Sequence, residues 1–462
     1  MNESIIPTTK HFSPAASLAA LGVKLSQLDL FGPIRTEVQI RQKTIKHTPA
    51  DKLYDAFISL LAGAHGIVEI NTRLRTDAAL QHAFGRQACA EQSVVQETLD
   101  ACTEENVRQM QHALDVIYRE HSRAYQHDYH AGFQLLDVDM SGLPCGPKAA
   151  FATRGYFAGQ YHRRGRQLGR VLATCYEEVV VDRLFAGNVQ LIKALQPLVQ
   201  AAETTLELDA AKRARTIIRV DAGAGTLDDL NWRLSRGYLV VAKEYSGPRV
   251  LRLAKTVTEW VQDPVWSERS FGWVTEPATG YVRPVRRIAV RCCRQDGTFA
   301  YGVLICSLEA SQVLTLLGHP RSQVADPVAV LLAYVTFYDL RGGGIETSLK
   351  GDKQGLGLTK RNKKRFEAQH MLVLLGSLAH NVVGWARQWL TSPHIQHCGI
   401  LRMVRDVFHI SGLLRFDPCT QVVEIVLNQH ARLARSLIRS LRELLTPFNI
   451  VVNLGETYSR FA

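Results

Sequence analysis

Two short apolar segments, each running into a carboxylate, constrain this chain more than anything else in it. Residues 133–140 read Phe-Gln-Leu-Leu-Asp-Val-Asp-Met, and residues 216–221 read Thr-Ile-Ile-Arg-Val-Asp. Runs of this length, rich in aliphatic residues and bounded by polar or glycine positions, read as buried strands. Strand alternation puts Asp137 and Asp139 on the same face, so either can be the acid that matters. Between the two segments, residues 161–180 pass from basic (Arg163, Arg164, Arg166, Arg170) to apolar, as the second and third strands of an antiparallel meander would. Residues 188–203 then repeat apolar positions at helical spacing, with Pro197 as a possible kink. A meander, a helix and a further strand specify an α/β domain with acids at strand ends. A strand-end Asp is often only a turn cap, so these acids need a third partner to mean more.

The third partner is offered by residues 338–353, Tyr-Asp-Leu-Arg-Gly-Gly-Gly-Ile-Glu-Thr-Ser-Leu-Lys-Gly-Asp-Lys. Gly342, Gly343 and Gly344 sit poorly inside a helix, so a turn is expected there, ahead of a helix. Glu346, Lys350 and Lys353 then fall on one helical face. A carboxylate with cations one and two turns on suits a divalent ion beside a phosphodiester. The plain alternative is a solvated face with ordinary Glu–Lys pairs.

Charge favours the first of these. The chain carries a net charge of +12, which points to a polyanionic partner, most economically nucleic acid. At 462 residues it is too long for one core, and about 150 residues per domain suggests about three. No run of about 18 apolar residues occurs and the first residues lack a signal-peptide pattern, so a cytoplasmic protein with no membrane partner is expected. None of the nine cysteines forms a Cys-x-x-Cys pair, and the sixteen histidines include no His-x3-His, so neither structural zinc nor a histidine metal site is expected.

Five segments follow from texture. Residues 1–130 are expected to be an all-helical N-terminal DNA-binding domain, irregular up to about residue 45 and helical from 49 to 127. Within it, short helices around Gly85, with Arg73, Arg75 and Arg86 nearby, resemble a helix-turn-helix reader. Residues 131–247 are the first part of the α/β core. Its Gly223-Ala224-Gly225 is not a dinucleotide fingerprint, because the acid precedes the glycines. Residues 248–327 are short β-branched runs with Gly and Pro, fronted by Trp260, Trp266 and Trp273, and read as a β-rich insertion. Residues 328–390 complete the core. They include a basic knot (Lys360, Arg361, Lys363, Lys364) expected to face phosphate, and an apolar helix, 366–389, expected to be packed inside. Residues 391–462 read as mostly helical, with strands at 422–427 and 449–454.

Asp139, Asp221 and Glu346 thus stand at the edges of three regular elements. If the two strands are neighbours and the helix packs on their sheet, the acids converge, as in a ribonuclease-H-like nuclease core. Hard oxygen ligands suit two Mg²⁺ ions, or Mn²⁺ as a substitute, about 4 Å apart. At these residues (Leu136-Asp-Val-Asp139-Met-Ser141, Ile218-Arg-Val-Asp221-Ala-Gly223, and Tyr338-x2-Arg341 with Glu346-x6-Lys353) the chain resembles the bacterial cut-and-paste DDE transposases of insertion sequences, in the branch with a Tyr-Arg-Glu-Lys signature. The resemblance implies that Asp139, Asp221 and Glu346 bind the metals, with Asp139 preferred over Asp137 because a short polar residue follows the acid in that motif. It implies that Tyr338, Arg341 and Lys353 contact the phosphates of double-stranded transposon ends, that target DNA is a second partner, and that a homodimer forms the synaptic complex. A tryptophan of the insertion could stack on a flipped base. The family usually has three residues between Arg and Glu; here there are four, and the extra one is expected as a bulge in the glycine turn. The alternatives are a non-cutting DNA-binding descendant and a nuclease that does not join strands.

Overall fold

Neighbouring strands in one ten-stranded sheet include both acid-bearing segments, Gln134–Pro144 and Thr216–Arg219, and they run parallel. The computed structural model describes residues 9–43, 46–157, 160 and 162–456. The chain divides into two compact units. One is Arg123–Gly142 with Thr153–Thr347, and the other is the described part of Met1–Ser122, Leu143–Ala152 and Ser348–Ala462.

In the first unit, Gln134–Pro144 has Arg164–Ala173 as its neighbour on one side, and that strand pairs with Glu178–Ala186 in an antiparallel meander. On the other side lie Thr216–Arg219 and then Leu239–Lys243, both parallel. Parallel neighbours need a crossover, and the helices Leu191–Leu206 and Leu227–Ser235 supply the two required. The expected insertion does hold strands, but they extend the same sheet. Phe299–Cys306 pairs antiparallel with Leu239–Lys243, and Arg286–Cys293, Arg269–Trp273 and Val261–Gln262 follow outward. Unsatisfied edge N–H and C=O groups on Leu239–Lys243 explain this, since a hairpin laid along an open edge satisfies them.

Pro327–Asp339 packs Leu331, Tyr334, Val335, Phe337 and Tyr338 into the cluster formed by Leu135, Ile217, Leu239 and Leu304 from the sheet. Asp326 caps it by accepting from the backbone N–H groups of Val328 and Ala329, and Pro327 stands at the first helical position. The glycines that follow are not the turn expected of them. Gly342–Glu346 form a π-turn running straight into Thr347–Gly355, so Pro327–Gly355 is one 29-residue helix. By length and composition alone this helix could cross a membrane, yet half of its most apolar window is buried inside the protein, as in a core helix.

In the second unit the N-terminal helices do not make a core of their own. Helix Phe366–Trp389, buried on every face from Ala368 to Ala386, shares one hydrophobic cluster with Leu18, Phe57, Leu80 and Val95. Residues 1–45, expected to be irregular, contain strand Thr9–Ser13 and helices Ala16–Gln27 and Gly32–Glu37. Ala16–Gln27 is buried on nearly all sides and has no side-chain cap, so neither periodicity nor a start signal marks it in the sequence. Thr9–Ser13 pairs antiparallel with Gly412–Phe416, Gly412–Phe416 pairs antiparallel with Val422–Asn428, and Val422–Asn428 pairs parallel with Val451–Gly455, so the C-terminal region is a sheet backed by helix Ala434–Leu445. Arg86 is tied by Asp51 at 2.7 Å and Asp55 at 2.8 Å, and Arg73 by Glu69 at 2.6 Å. Two of the three arginines noted for a helix-turn-helix reader are therefore engaged within the unit.

Candidate catalytic site at the strand ends

The register of the two parallel strands builds the site. Asp137 lies directly across from Arg219, and two residues further along each strand the chain reaches Asp139 and Asp221. The first pair is fully buried and bidentate, with Arg219 Nε 2.7 Å from Asp137 Oδ1 and Nη2 2.9 Å from Oδ2. Thr174 Oγ1 also donates to Asp137 Oδ2 at 2.7 Å, and Arg219 Nη1 donates to the carbonyl of Phe337. The two acids of the first strand therefore differ in their surroundings. Asp137 is consumed in a structural pair that clamps helix Pro327–Asp339 onto the sheet, and removing one partner of such a pair costs about 3–5 kcal/mol. Asp139 stands beyond it, its side chain 18% exposed.

Arg341, just past the clamped helix, reaches two acids, Asp139 and Glu346. Its Nη2 lies 2.7 Å from Asp139 Oδ2, and its Nη1 donates to Glu346 Oε1 at 3.1 Å. The π-turn makes this possible. A helix places i and i+4 one above the other, and one extra residue inserted as a π-turn brings i and i+5 into that relation. The four residues between Arg341 and Glu346 are thus absorbed without separating them. Glycine is required at one position of the turn. A Cβ on Gly344 would lie 2.7 Å from both Asp137 Oδ2 and Thr174 Cγ2, whereas Gly343 has nothing within 4 Å.

Asp221 caps the short turn Ala222–Ala224 by accepting from Gly223 N at 2.8 Å. Burial raises the Asp139 carboxyl above its usual range; the Arg341 charge opposes this and the Asp221 charge adds to it. Burial also pushes the Tyr338 hydroxyl up, and Arg341, Asp221, Glu346 and Asp139 all act on it. For Arg341, burial works against the cation, but Asp139, Tyr338, Asp221 and Asp137 outweigh it, and its pKa is raised. Arg341 thus touches Asp139 and Glu346, and the charge of Asp221 acts on Asp139, Tyr338 and Arg341. Lys243 adds a wall, its Nζ 4.8 Å from the centre of the Tyr338 ring.

Carboxylates such as Asp139, Asp221 and Glu346 are the donor type that suits a hard divalent ion. Among the described residues, however, no group of three or more His, Cys, Asp or Glu side chains already stands arranged to hold one. Two of the three carboxylates are instead engaged by Arg341. Arg341 is 4% exposed, and among the described residues its Nε has no hydrogen-bond partner while its Nη2 sits off the line of a well-formed hydrogen bond to Asp139.

The other expected DNA-contacting residues belong to the second unit. Lys350, Lys360 and Lys364 are exposed, and Lys353 is half-buried. Lys363 donates to Gln96 at 2.6 Å and burial pulls its ammonium pKa down. Arg361 does not fit the expected phosphate-facing role. It is 2% exposed, donates to the Leu356 carbonyl and lies against Gly376, where no side chain could fit. Of the three tryptophans, Trp266 is 60% exposed, Trp260 lies under Arg291 at 4.3 Å, and Trp273 packs edge-on against Tyr334. Sequence reasoning missed Arg219, Thr174 and Lys243. Arg219 had a signal: an arginine inside an apolar strand needs a buried acid, and Asp137 occupies the matching place in its neighbour.

No protein-family model matches the chain, and no curated protein matches it. Among solved structures, the cryo-EM structure of a piggyBac transposase synaptic complex with hairpin DNA is similar at 11% identity with a TM-score of 0.43, covering 98% of this chain and 84% of that one.

Proposed function

We propose that this chain is a DNA transposase of the three-carboxylate type, acting through a ribonuclease-H-like core. The observation that carries the reading is the bridge that Arg341 makes between Asp139 and Glu346, with Asp221 two residues past Arg219 on the adjacent parallel strand. A meander followed by two parallel strands, each reached through a helix, supports the core assignment. The net charge of +12 supports double-stranded DNA as the partner, both at the element's ends and at the target.

Asp139, Asp221 and Glu346 would hold two Mg²⁺ ions, with Mn²⁺ as a substitute. When bound, such ions activate a water or a 3′-hydroxyl and stabilise the leaving oxygen of an in-line phosphoryl transfer. The protein's own contribution is positional. Asp137 and Arg219 fix the helix that carries Tyr338, Arg341 and Glu346, so the acids keep their spacing as DNA arrives. Tyr338 and Lys243 form a wall against which a sugar–phosphate strand can lie. Lys350, Lys353, Lys360 and Lys364 are assigned to backbone phosphates, which fix register without reading sequence. Strand cleavage and strand joining then use the same site, with no covalent enzyme intermediate, in a homodimer that pairs the two ends.

The test uses the full chain with Mg²⁺ and a duplex carrying the inverted repeats that flank its gene. Cleavage at the repeat ends is expected, and pre-cleaved ends are expected to become joined to a plasmid. Asp221→Ala leaving metal-dependent cleavage intact sinks the assignment, and cleavage without joining makes the protein a nuclease of the same core instead.

A further inference from the structure

We propose that Arg341 is the resident cation of the carboxylate site in the metal-free protein, and that divalent ions enter by displacing it. The proposal rests on reading Asp139, Asp221 and Glu346 as metal-binding acids, and adds a device that governs when they bind. One planar guanidinium spans two of the three, at 2.7 Å from Asp139 and 3.1 Å from Glu346. A fork of fixed geometry is suited to bridging two acceptors, which a lysine on a flexible stem is not. Carboxylates drawn together without a countercharge repel one another, and Arg341 supplies that charge from within the chain.

The bridge is tight by charge and poor by hydrogen bonding. Among the described residues Nε has no acceptor, and Nη2 faces Asp139 off the line of a good bond, although the residue is buried. A buried donor left without a partner is a standing cost that an incoming acceptor can relieve. The guanidinium cannot lose its proton, so a divalent ion approaching Asp139 and Glu346 meets a fixed positive charge until Arg341 moves away. A phosphodiester offers two oxygens at the spacing of the fork and is the natural place for it to go. The chain just beyond Arg341 permits the movement, because Gly342 and Gly343 are exposed and carry no side chain to obstruct it. Metal and DNA binding are then coupled, each favouring the other, because both draw on the same displaced arginine. Such a site stays poorly metallated until a phosphate backbone arrives, which suppresses cutting away from substrate.

The test titrates Mn²⁺ into the full-length protein without DNA and reads free Mn²⁺ by electron paramagnetic resonance. Coupling energies of this kind are typically about five- to 150-fold, so Arg341→Gln is expected to bind Mn²⁺ about tenfold more tightly than the wild type. Arg341→Lys, which keeps the charge but cannot bridge both acids, is expected to fall between them, and carries the test if the glutamine variant does not fold. Adding Asp139→Asn is expected to abolish the gain. Both variants binding Mn²⁺ no more tightly than the wild type, while Asp139→Asn still weakens it, overturns the displaced-arginine idea and leaves the metal-binding acids standing. Mn²⁺ binding that ignores Asp139→Asn in every background overturns both.

Discussion

Alanine at Gly344 and alanine at Gly343 should push this protein in opposite directions, although the two positions are adjacent in one π-turn. A Cβ at Gly344 falls 2.7 Å from Asp137 Oδ2 and 2.7 Å from Thr174 Cγ2, closer than real contacts allow. The tip of a free side chain would swing aside, but Asp137 is held by two bonds from Arg219, at 2.7 and 2.9 Å, and one from Thr174 at 2.7 Å. The turn must move instead. Overpacking of this kind costs about 1–3 kcal/mol. The gain in helical preference returns up to about 1 kcal/mol, leaving a net loss of up to roughly 2 kcal/mol. Gly343 meets nothing within 4 Å, so its alanine keeps the gain of about 0.4–1 kcal/mol. Since 1 kcal/mol moves the melting point of a domain of this size by about 2–4 °C, the variants should separate by several degrees in thermal unfolding of the full chain. Displacing the turn also carries Glu346 away from Asp139, so Gly344→Ala should lose Mn²⁺ affinity that Gly343→Ala retains. A Gly344→Ala protein that melts at or above the Gly343→Ala protein refutes the account of the turn as wedged against a clamped carboxylate.

Two further outcomes follow from the same geometry. Because the folded-state pKa of Asp139 is raised above its ordinary 3.8, this residue's contribution to stability is present below that value and lost as pH rises through the elevated one; urea unfolding across that window should show the loss, and Asp139→Asn should remove it. Lys360→Ala with Lys364→Ala should weaken duplex binding and reduce the salt slope by about 1 for each phosphate no longer neutralised, with little change in melting, whereas Arg361→Ala should lower the melting point of the full chain because its guanidinium is buried against Gly376.

What the sequence disclosed and what it concealed divide along physical lines. The strands around Asp139 and Asp221, the meander between them and the buried helix 366–389 were legible because hydrophobic period and length report burial directly. Ala16–Gln27 was not, because a helix buried on almost every side has no amphipathic stripe to read. The grouping of the N-terminal helices with Phe366–Trp389 was invisible for another reason, since no local pattern encodes which distant helix fills a core. Arg361 was misread because composition counts a cation as exposed, while its neighbour Gly376 leaves the space that buries it.

The glycine run shows most clearly why local rules mislead at such a site. Three consecutive glycines argue against helix on intrinsic preference, by about 1 kcal/mol each relative to alanine. That penalty is acceptable here because a π-turn needs room at Gly344 that no other residue leaves, and because the turn keeps Arg341 in reach of Glu346 despite the additional residue between them. The register pair Asp137–Arg219 works in the same direction, holding the strand ends and the helix end at a fixed separation. A buried ion pair is weak evidence for stability, since an apolar pair of similar volume would serve as well or better. Its value here lies in what an apolar pair could not do: a guanidinium donates to the Phe337 carbonyl while it holds Asp137, so one side chain ties the sheet to the helix four residues before Arg341.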